Sequence, residues 1–593
     1  MDWDLTSYFP TFDGPNYRHF RDRLRDDLGR LQQPLDKAML PADALAERLV
    51  DFEAASVRFS HLASYLGCLT AADSANEAYA KEEAALAQDR AGLTKGVNLI
   101  LENLASIDRS GLENLKRDPR LEGAAYALER FYHEAGLRMS PTEEALAADL
   151  AVDGFDAWGR LYDNLAGNLE FEMADPEGKR TTRSISQRRS LLGHPDRRVR
   201  KAAFEGGNRS WQSVARVTCA ALNSLAGTRQ VLRSRRGQDH FLQPALFDAR
   251  LDRPCLDALL EALRGQRESA REMLRFRASE MGLKQVAWYD LEAPTSGSGE
   301  DEAAINWPTA CAWVQNSFDR AYPALGAFFR SVVEKRWIDW SPRPGKRPGG
   351  FCTSSPFSRE SRIFMTYDQT VNDVMTLAHE VGHAFHSHLL SERRGLVSNY
   401  PMPLAETAST FAEQILIDGI ISDPESPVGR RRRLLDSQVR HAVTFMLDIP
   451  IRFEFECRFH EERLKGEIGV SRLNELMVDT QREWLGDTLE VGGEDPLFWA
   501  SKLHFYITGL SFYNFPYTFG FLLSRRLYGR FRQEGPGFLP EYEAFLNMTS
   551  VRNADDLIRD VLNEDPADPT FWNSAIDTLR EPFAALRQEN GPS

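Results

Sequence analysis

The chain has 593 residues, 42% hydrophobic and 27% charged, ordinary proportions for a folded protein with room for large cores and more than one lobe. A net charge of −15 with no basic domain to offset it argues against a nucleic-acid partner, and no apolar run reaches the roughly 18 residues that suggest a membrane span. Met1-Asp2-Trp3-Asp4-Leu5 lacks a basic stretch followed by an apolar one, so no signal peptide is expected, and six scattered cysteines predict reduced thiols in a cytoplasmic setting.

In chain order the pattern is mainly helical. Ala75 to Leu104 and Arg197 to Arg233 are rich in Ala, Leu, Glu and Arg, strong helix formers. Ser140-Pro141-Thr142-Glu143 predicts a helix start, with Ser as cap and Glu three residues on. Asp290 to Asp301, with Pro294, Gly297 and Gly299, reads as a surface loop. A division into an N-terminal helical lobe, 1–190, and a catalytic region, 191–593, is expected. Pro344 to Phe351 is turn-rich, and Ser361 to Tyr367 alternates like a short strand, either an edge able to pair with an extended peptide or part of an ordinary structural hairpin. Arg430 to Arg433 predicts a solvated helix start.

His379-Glu380-Val381-Gly382-His383 lies in an apolar, helix-compatible run. With 12 histidines in the chain, His-Glu-x-x-His arises by chance about 0.02 times. Histidines four apart share one helix face and can reach one Zn²⁺ at roughly 2.0–2.1 Å. Glu380 projects beside them, free to take a proton from water. The bland alternative is a buried helix whose histidines bond carbonyls. His386 returns to the ligand face, either to orient a ligand or as a rim histidine in solvent; His388 faces away.

A catalytic zinc needs a third protein ligand. After Pro401 and Pro403 a helix is expected, with Glu406 in its first turn and Glu413 on the same face. Its other positions are small or apolar, so a buried carboxylate there needs a partner. Glu406 is the third-ligand candidate and Glu413 a candidate to bond a ligand imidazole; salt bridges to arginines are the alternative. Downstream, His504 to Gly520 combines a histidine, three tyrosines and many phenylalanines. Tyr O–H or imidazole N–H can stabilise the oxyanion of amide hydrolysis.

Together these segments resemble the M3 family of zinc metallopeptidases, close to its oligoendopeptidase F branch. The carriers are Gly349-Gly350-Phe351-Cys352, His379 to His383 with His386, the run Glu406 to Glu413, and the His504 to Gly520 block. The resemblance implies one Zn²⁺ per chain on His379, His383 and Glu406, Glu380 as general base, and His504, Tyr513 and Tyr517 as transition-state stabilisers. Phe515 stands where the family often has tyrosine, and Pro516 interrupts the run. The implied fold is a mainly α, multi-helical, two-lobed metallopeptidase with a deep substrate channel and a small β-sheet near the His-Glu-x-x-His helix. The implied function is endopeptidase cleavage of oligopeptides. A metallo-carboxypeptidase or dipeptidase, and a silent zinc- or peptide-binding scaffold, are the alternatives.

Overall fold

Helices begin where the capping residues stand. Asn76 accepts hydrogen bonds from the Ala78 and Tyr79 amides and opens Glu77–Ala105. Ser140 and Glu143 form the expected reciprocal capping box on Pro141–Asp153. Asp196 caps the 39-residue helix Arg197–Arg235. The structure, a computed structural model, describes residues 1–33, 41–295 and 304–589. Over them the protein is mainly α, with one two-stranded and one three-stranded sheet.

Contacts divide the chain into two units. One comprises Met1–Arg138, Glu302–Pro424 and Leu527–Asn563; the other comprises Met139–Asp301, Glu425–Arg526 and Glu564–Ser593. Each gathers three separate segments, so this division differs from the linear boundary expected near residue 190.

In the first unit, Glu360–Phe364 lies between Ile338–Asp339, parallel to it, and Phe351–Ser355, antiparallel to it. This corrects the expectation for the segment around Phe364: it is the central strand, and the sheet's edges are Ile338–Asp339 and Phe351–Ser355. The alternation of Ser361 to Tyr367 carries no sign of Ile338–Asp339, whose neighbourhood takes the other side through Ile363 N–H to Trp337 O at 2.9 Å and Met365 N–H to Asp339 O at 3.0 Å. Phe364 is buried in a core with Trp3, Leu24, Leu62 and Tyr65.

The histidine helix, Val371–Leu389, opens on a capping box of Thr370 and Asp373. The glutamate helix, Met402–Ile421, starts directly after Pro401 with Pro403 in its first turn. Glu406 is its fifth residue, one position beyond the first turn expected for it. The two helices pack closely at Gly382, where an added Cβ would lie 2.6 Å from both the Ala408 carbonyl oxygen and the Ser409 Cα. Those are backbone atoms, which cannot swing aside.

In the second unit, the hairpin Glu170–Ala174 with Arg180–Ser184 packs on Arg197–Arg235 at Gly206, where a Cβ would meet the Glu172 carbonyl at 2.4 Å. Asp290 is fully buried and pairs with Arg197 at 2.7 Å and Arg200 at 2.8 Å. The surface loop expected from Asp290 therefore begins inside the core, held by two guanidinium groups; residues 296–301 lie outside the described residues. A helix does start at Val428, but Arg431 and Arg432 are half-buried in ion pairs with Glu589 and Glu280 rather than solvated.

Gly382→Ala should cost about 1–3 kcal/mol by overpacking, read as a lower urea midpoint of the chelator-treated chain. An unchanged midpoint refutes the close-contact account.

Candidate metal centre

Helical spacing places His379 and His383 on one face, and the packing at Gly382 brings Glu406 opposite them. The three facing atoms form a triangle: His379 Nε2 to His383 Nε2 is 3.2 Å, His379 Nε2 to Glu406 Oε2 is 3.4 Å, and His383 Nε2 to Glu406 Oε2 is 3.7 Å. A point in the plane of such a triangle is about 2.0 Å from every corner, close to metal–nitrogen and metal–oxygen bond lengths. Among the described residues, these three are the group of metal-capable side chains that converge.

Glu413, two turns beyond Glu406, accepts a hydrogen bond from His379 Nδ1. With a metal ion in place of the second ring proton, that bond fixes the tautomer and turns the Nε2 lone pair toward the triangle. Ser409 Oγ donates to Glu406 Oε2 at 2.9 Å and holds it in place. Burial disfavours charge on both rings. At His379, the bond and charge of Glu413, with Glu406 and Glu380, overcome burial and raise the ring to about 9. At His383, burial and the neighbouring His379 lower it to about 4. Two imidazole nitrogens and a carboxylate oxygen crowded together thus call for one cation among them. The residues fit a divalent metal ion, which would satisfy all three lone pairs at once.

Glu380 is 7% exposed, and its Oε2 is buried with no hydrogen-bond partner among the described residues. Burial pushes its carboxyl up to about 7, with Glu406 and Glu413 adding to the rise against the pull of His379. A bound dication would draw it back down. Gly350 sits beside it: a Cβ there would lie 3.6 Å from Glu380 Oε1.

His386 corrects the rim alternative. It is fully buried, stacked on Tyr400 at 4.0 Å and bonded through Nε2 to Thr549 at 2.8 Å. His388 packs its ring on Phe328 at 4.9 Å, as its outward position implied. Burial, then the charge of Glu380, pushes the Cys352 thiol well up, so it stays protonated and inert.

His504, Tyr513 and Tyr517 form a cluster within the second unit. The His504 and Tyr513 ring centres are 4.6 Å apart, and the Tyr517 hydroxyl donates to that of Tyr513 at 3.1 Å. Tyr506, the first of the block's three tyrosines, is a core residue stacked on Tyr162 at 3.8 Å. Pro516 is the second residue of the helix Phe515–Glu534, where a missing N–H costs nothing. Phe515 is buried against Phe453.

The sequence reading missed Asn514, whose Oδ1 lies 2.7 Å from His504 Nδ1. A lone amide in an aromatic run was the available signal. Burial, then Lys502, lowers His504 to about 4, so the ring is neutral and carries one proton. With Nδ1–H donating to Asn514, Nε2 can only accept. For Nε2–H to donate, the Asn514 amide must turn, which would give its buried, unpartnered Nδ2 a bond to His504.

Glu413→Gln should weaken metal affinity by about 10–100-fold, measured with a competing chelator; unchanged affinity removes Glu413 from the centre.

The model for peptidase family M3 matches residues 321–576, and that for oligopeptidase F matches residues 103–171. The plasmid oligoendopeptidase F of Lactococcus lactis subsp. cremoris is 26% identical over 416 residues, 68% of this chain and 66% of that protein. The oligopeptidase PepF of Bacillus subtilis strain 168 is 21% identical, with 99% of this chain and 88% of its own length covered. The crystal structure of oligoendopeptidase-F from Enterococcus faecium shares the fold with a TM-score of 0.72 at 17% identity, covering 97% of this chain and 99% of that one. No helix among the described residues is long and apolar enough to cross a membrane. The two matched regions together span more than half of the chain, and with its His-His-Glu cluster inside the longer one, this chain belongs to peptidase family M3 and is similar to oligoendopeptidase F.

Proposed function

We propose that this chain is a zinc-dependent endopeptidase that hydrolyses internal bonds of oligopeptides. The observation that carries the reading is the triangle of His379, His383 and Glu406 beside Glu380, a buried carboxylate with one oxygen unpaired. Two nitrogens and one carboxylate oxygen suit zinc. When bound, the ion supplies a Lewis acid that polarises a carbonyl and makes water more acidic. Glu380 takes the proton from the attacking water at its free oxygen and passes it to the leaving amine. Glu413 keeps the His379 ring turned and basic.

His504 with Tyr513 or Tyr517 is assigned to the oxyanion. The support is the family resemblance and their hydroxyl-rich cluster. The edge strand Phe351–Ser355 is assigned to hold extended peptide by backbone pairing, which would leave recognition tolerant of side chains. Restriction to oligopeptides follows the F-type relatives. The six free cysteines favour a reducing, cytoplasmic setting.

A peptide blocked at both ends should be cut internally, with products read by mass spectrometry; an exopeptidase would leave it intact. Glu380→Gln should retain one zinc per chain while turnover falls by about 10²–10⁴-fold. Retained turnover in the zinc-loaded variant sinks the assignment. Of Tyr513→Phe and Tyr517→Phe, the one that removes the oxyanion donor should lower kcat by about 10²–10³-fold with KM little changed. If neither lowers kcat, the tyrosines have another role.

A further inference from the structure

We propose that the second unit holds a binding site for a small oxyanion, a phosphate or carboxylate on a compact apolar body. The site is a cavity of about 230 Å³. Arg229 and Arg233 face it from one side of the helix Arg197–Arg235, with Arg236 at that helix's end. Arg463 and His460 face it from the last turn of the helix Ile449–Arg463.

The charge in this cavity is largely uncompensated. Arg236 is neutralised by Glu144 at 2.7 Å. The other three guanidinium groups bond only neutral carbonyls: Arg229 those of Ile507 and Leu510, Arg233 that of Gln238 at 2.9 Å, and Arg463 that of Asn223 at 3.2 Å. Among the described residues, none of the three makes ion-pair contact with a carboxylate. Glu456 attracts Arg229 from a greater distance, and Asp248 is an acid in the lining. Capping of helix ends explains one or two N–H groups per arginine. It does not explain three positive charges gathered around one cavity.

His460 is the second, independent sign. It is 8% exposed and lines the cavity, and its ring makes no protein hydrogen bond among the described residues. Its ring is stacked on Phe241 at 5.4 Å and tilted against Phe512 at 5.3 Å, which hold it in the cavity wall. Burial, and then Arg229, Arg233 and Arg463, lower it to about 3. A neutral ring with one N–H to give, inside a ring of cations, suits an anion and repels a cation. Gly227 keeps the place open: a Cβ there would meet the Arg463 guanidinium at 2.6 Å. Phe155 and Phe241 supply the apolar wall.

The remaining wall is Thr508 to Ser511, the loop that Arg229 clamps. It runs into Phe512, held at φ 53° with its N–H on Glu456 at 2.9 Å. An anion that draws the arginines together should therefore stiffen this loop.

Isothermal titration of the full chain tests the site, with inorganic phosphate in one arm and N-acetylleucine in the other, each against chloride at equal ionic strength. Saturable binding of at least one probe is expected, weakened at least tenfold in Arg233→Gln/Arg463→Gln, with amide exchange over residues 507–512 slowed several-fold by the ligand. Whichever arm binds names the source of the oxyanion. His460→Phe, which keeps the stacking, serves as a second variant should the double one unfold; it too should bind more weakly. No saturable binding of either probe overturns the proposal. So does undiminished binding in the folded variants, which would place the anion elsewhere, including at the metal centre. Peptide cleavage is not the readout, so the outcome is independent of the peptidase proposal.

Discussion

The metal centre depends on how closely two helices approach at Gly382. One helix carries both imidazoles, the other both carboxylates, and neither alone can surround an ion. Their separation is set where a hydrogen atom of Gly382 meets the backbone of Ala408 and Ser409. Any larger side chain at that point would push Glu406 away from His379 and His383. The glycine lies between the candidate ligands His379 and His383 in sequence, so the residue that fixes the spacing and the residues that would use it share one helical turn.

The same approach concentrates negative charge. Glu380, Glu406 and Glu413 all act on His379, while the two rings compete for a single proton. Such a cluster is costly without a cation and favourable with one. Metal binding and packing of the two helices therefore reinforce each other: an ion that binds only the assembled triangle stabilises the assembled pair. Capping at Thr370 and the proline start at Pro401 set the register of each helix before any ion arrives.

Much of this was legible because it is local. Spacing of four along a helix, a Ser with Glu three residues on, and a Pro-bounded helix start each follow from backbone geometry within a few residues. His379, Glu380, His383 and Glu406 were found that way. What was missed depends on distant partners. Glu360–Phe364 is central rather than an edge because Ile338–Asp339 joins it from elsewhere in the chain. His386 turned out to be buried because Thr549 and Tyr400 cover it. Arg431 and Arg432 are tied down by Glu589 and Glu280, far away in sequence. Asn514 was hidden for another reason: only its orientation toward His504 gives it meaning.

The interleaving of the two units bears on how the chain is made. A ribosome delivers residues in order, yet the unit that contains the candidate metal ligands takes its last segment from Leu527–Asn563, and the other from Glu564–Ser593. His379, His383 and Glu406 thus emerge before the helices that complete their surroundings, including the turn at Thr549 that receives His386. These residues must wait, with the helix faces that Leu527–Asn563 covers still open, while the intervening segment of the other unit is synthesised. This is the situation in which nascent chains need shielding from aggregation. Neither unit can be obtained by cutting the gene at one place, and a chain that stops before Leu527 lacks the last segment of both.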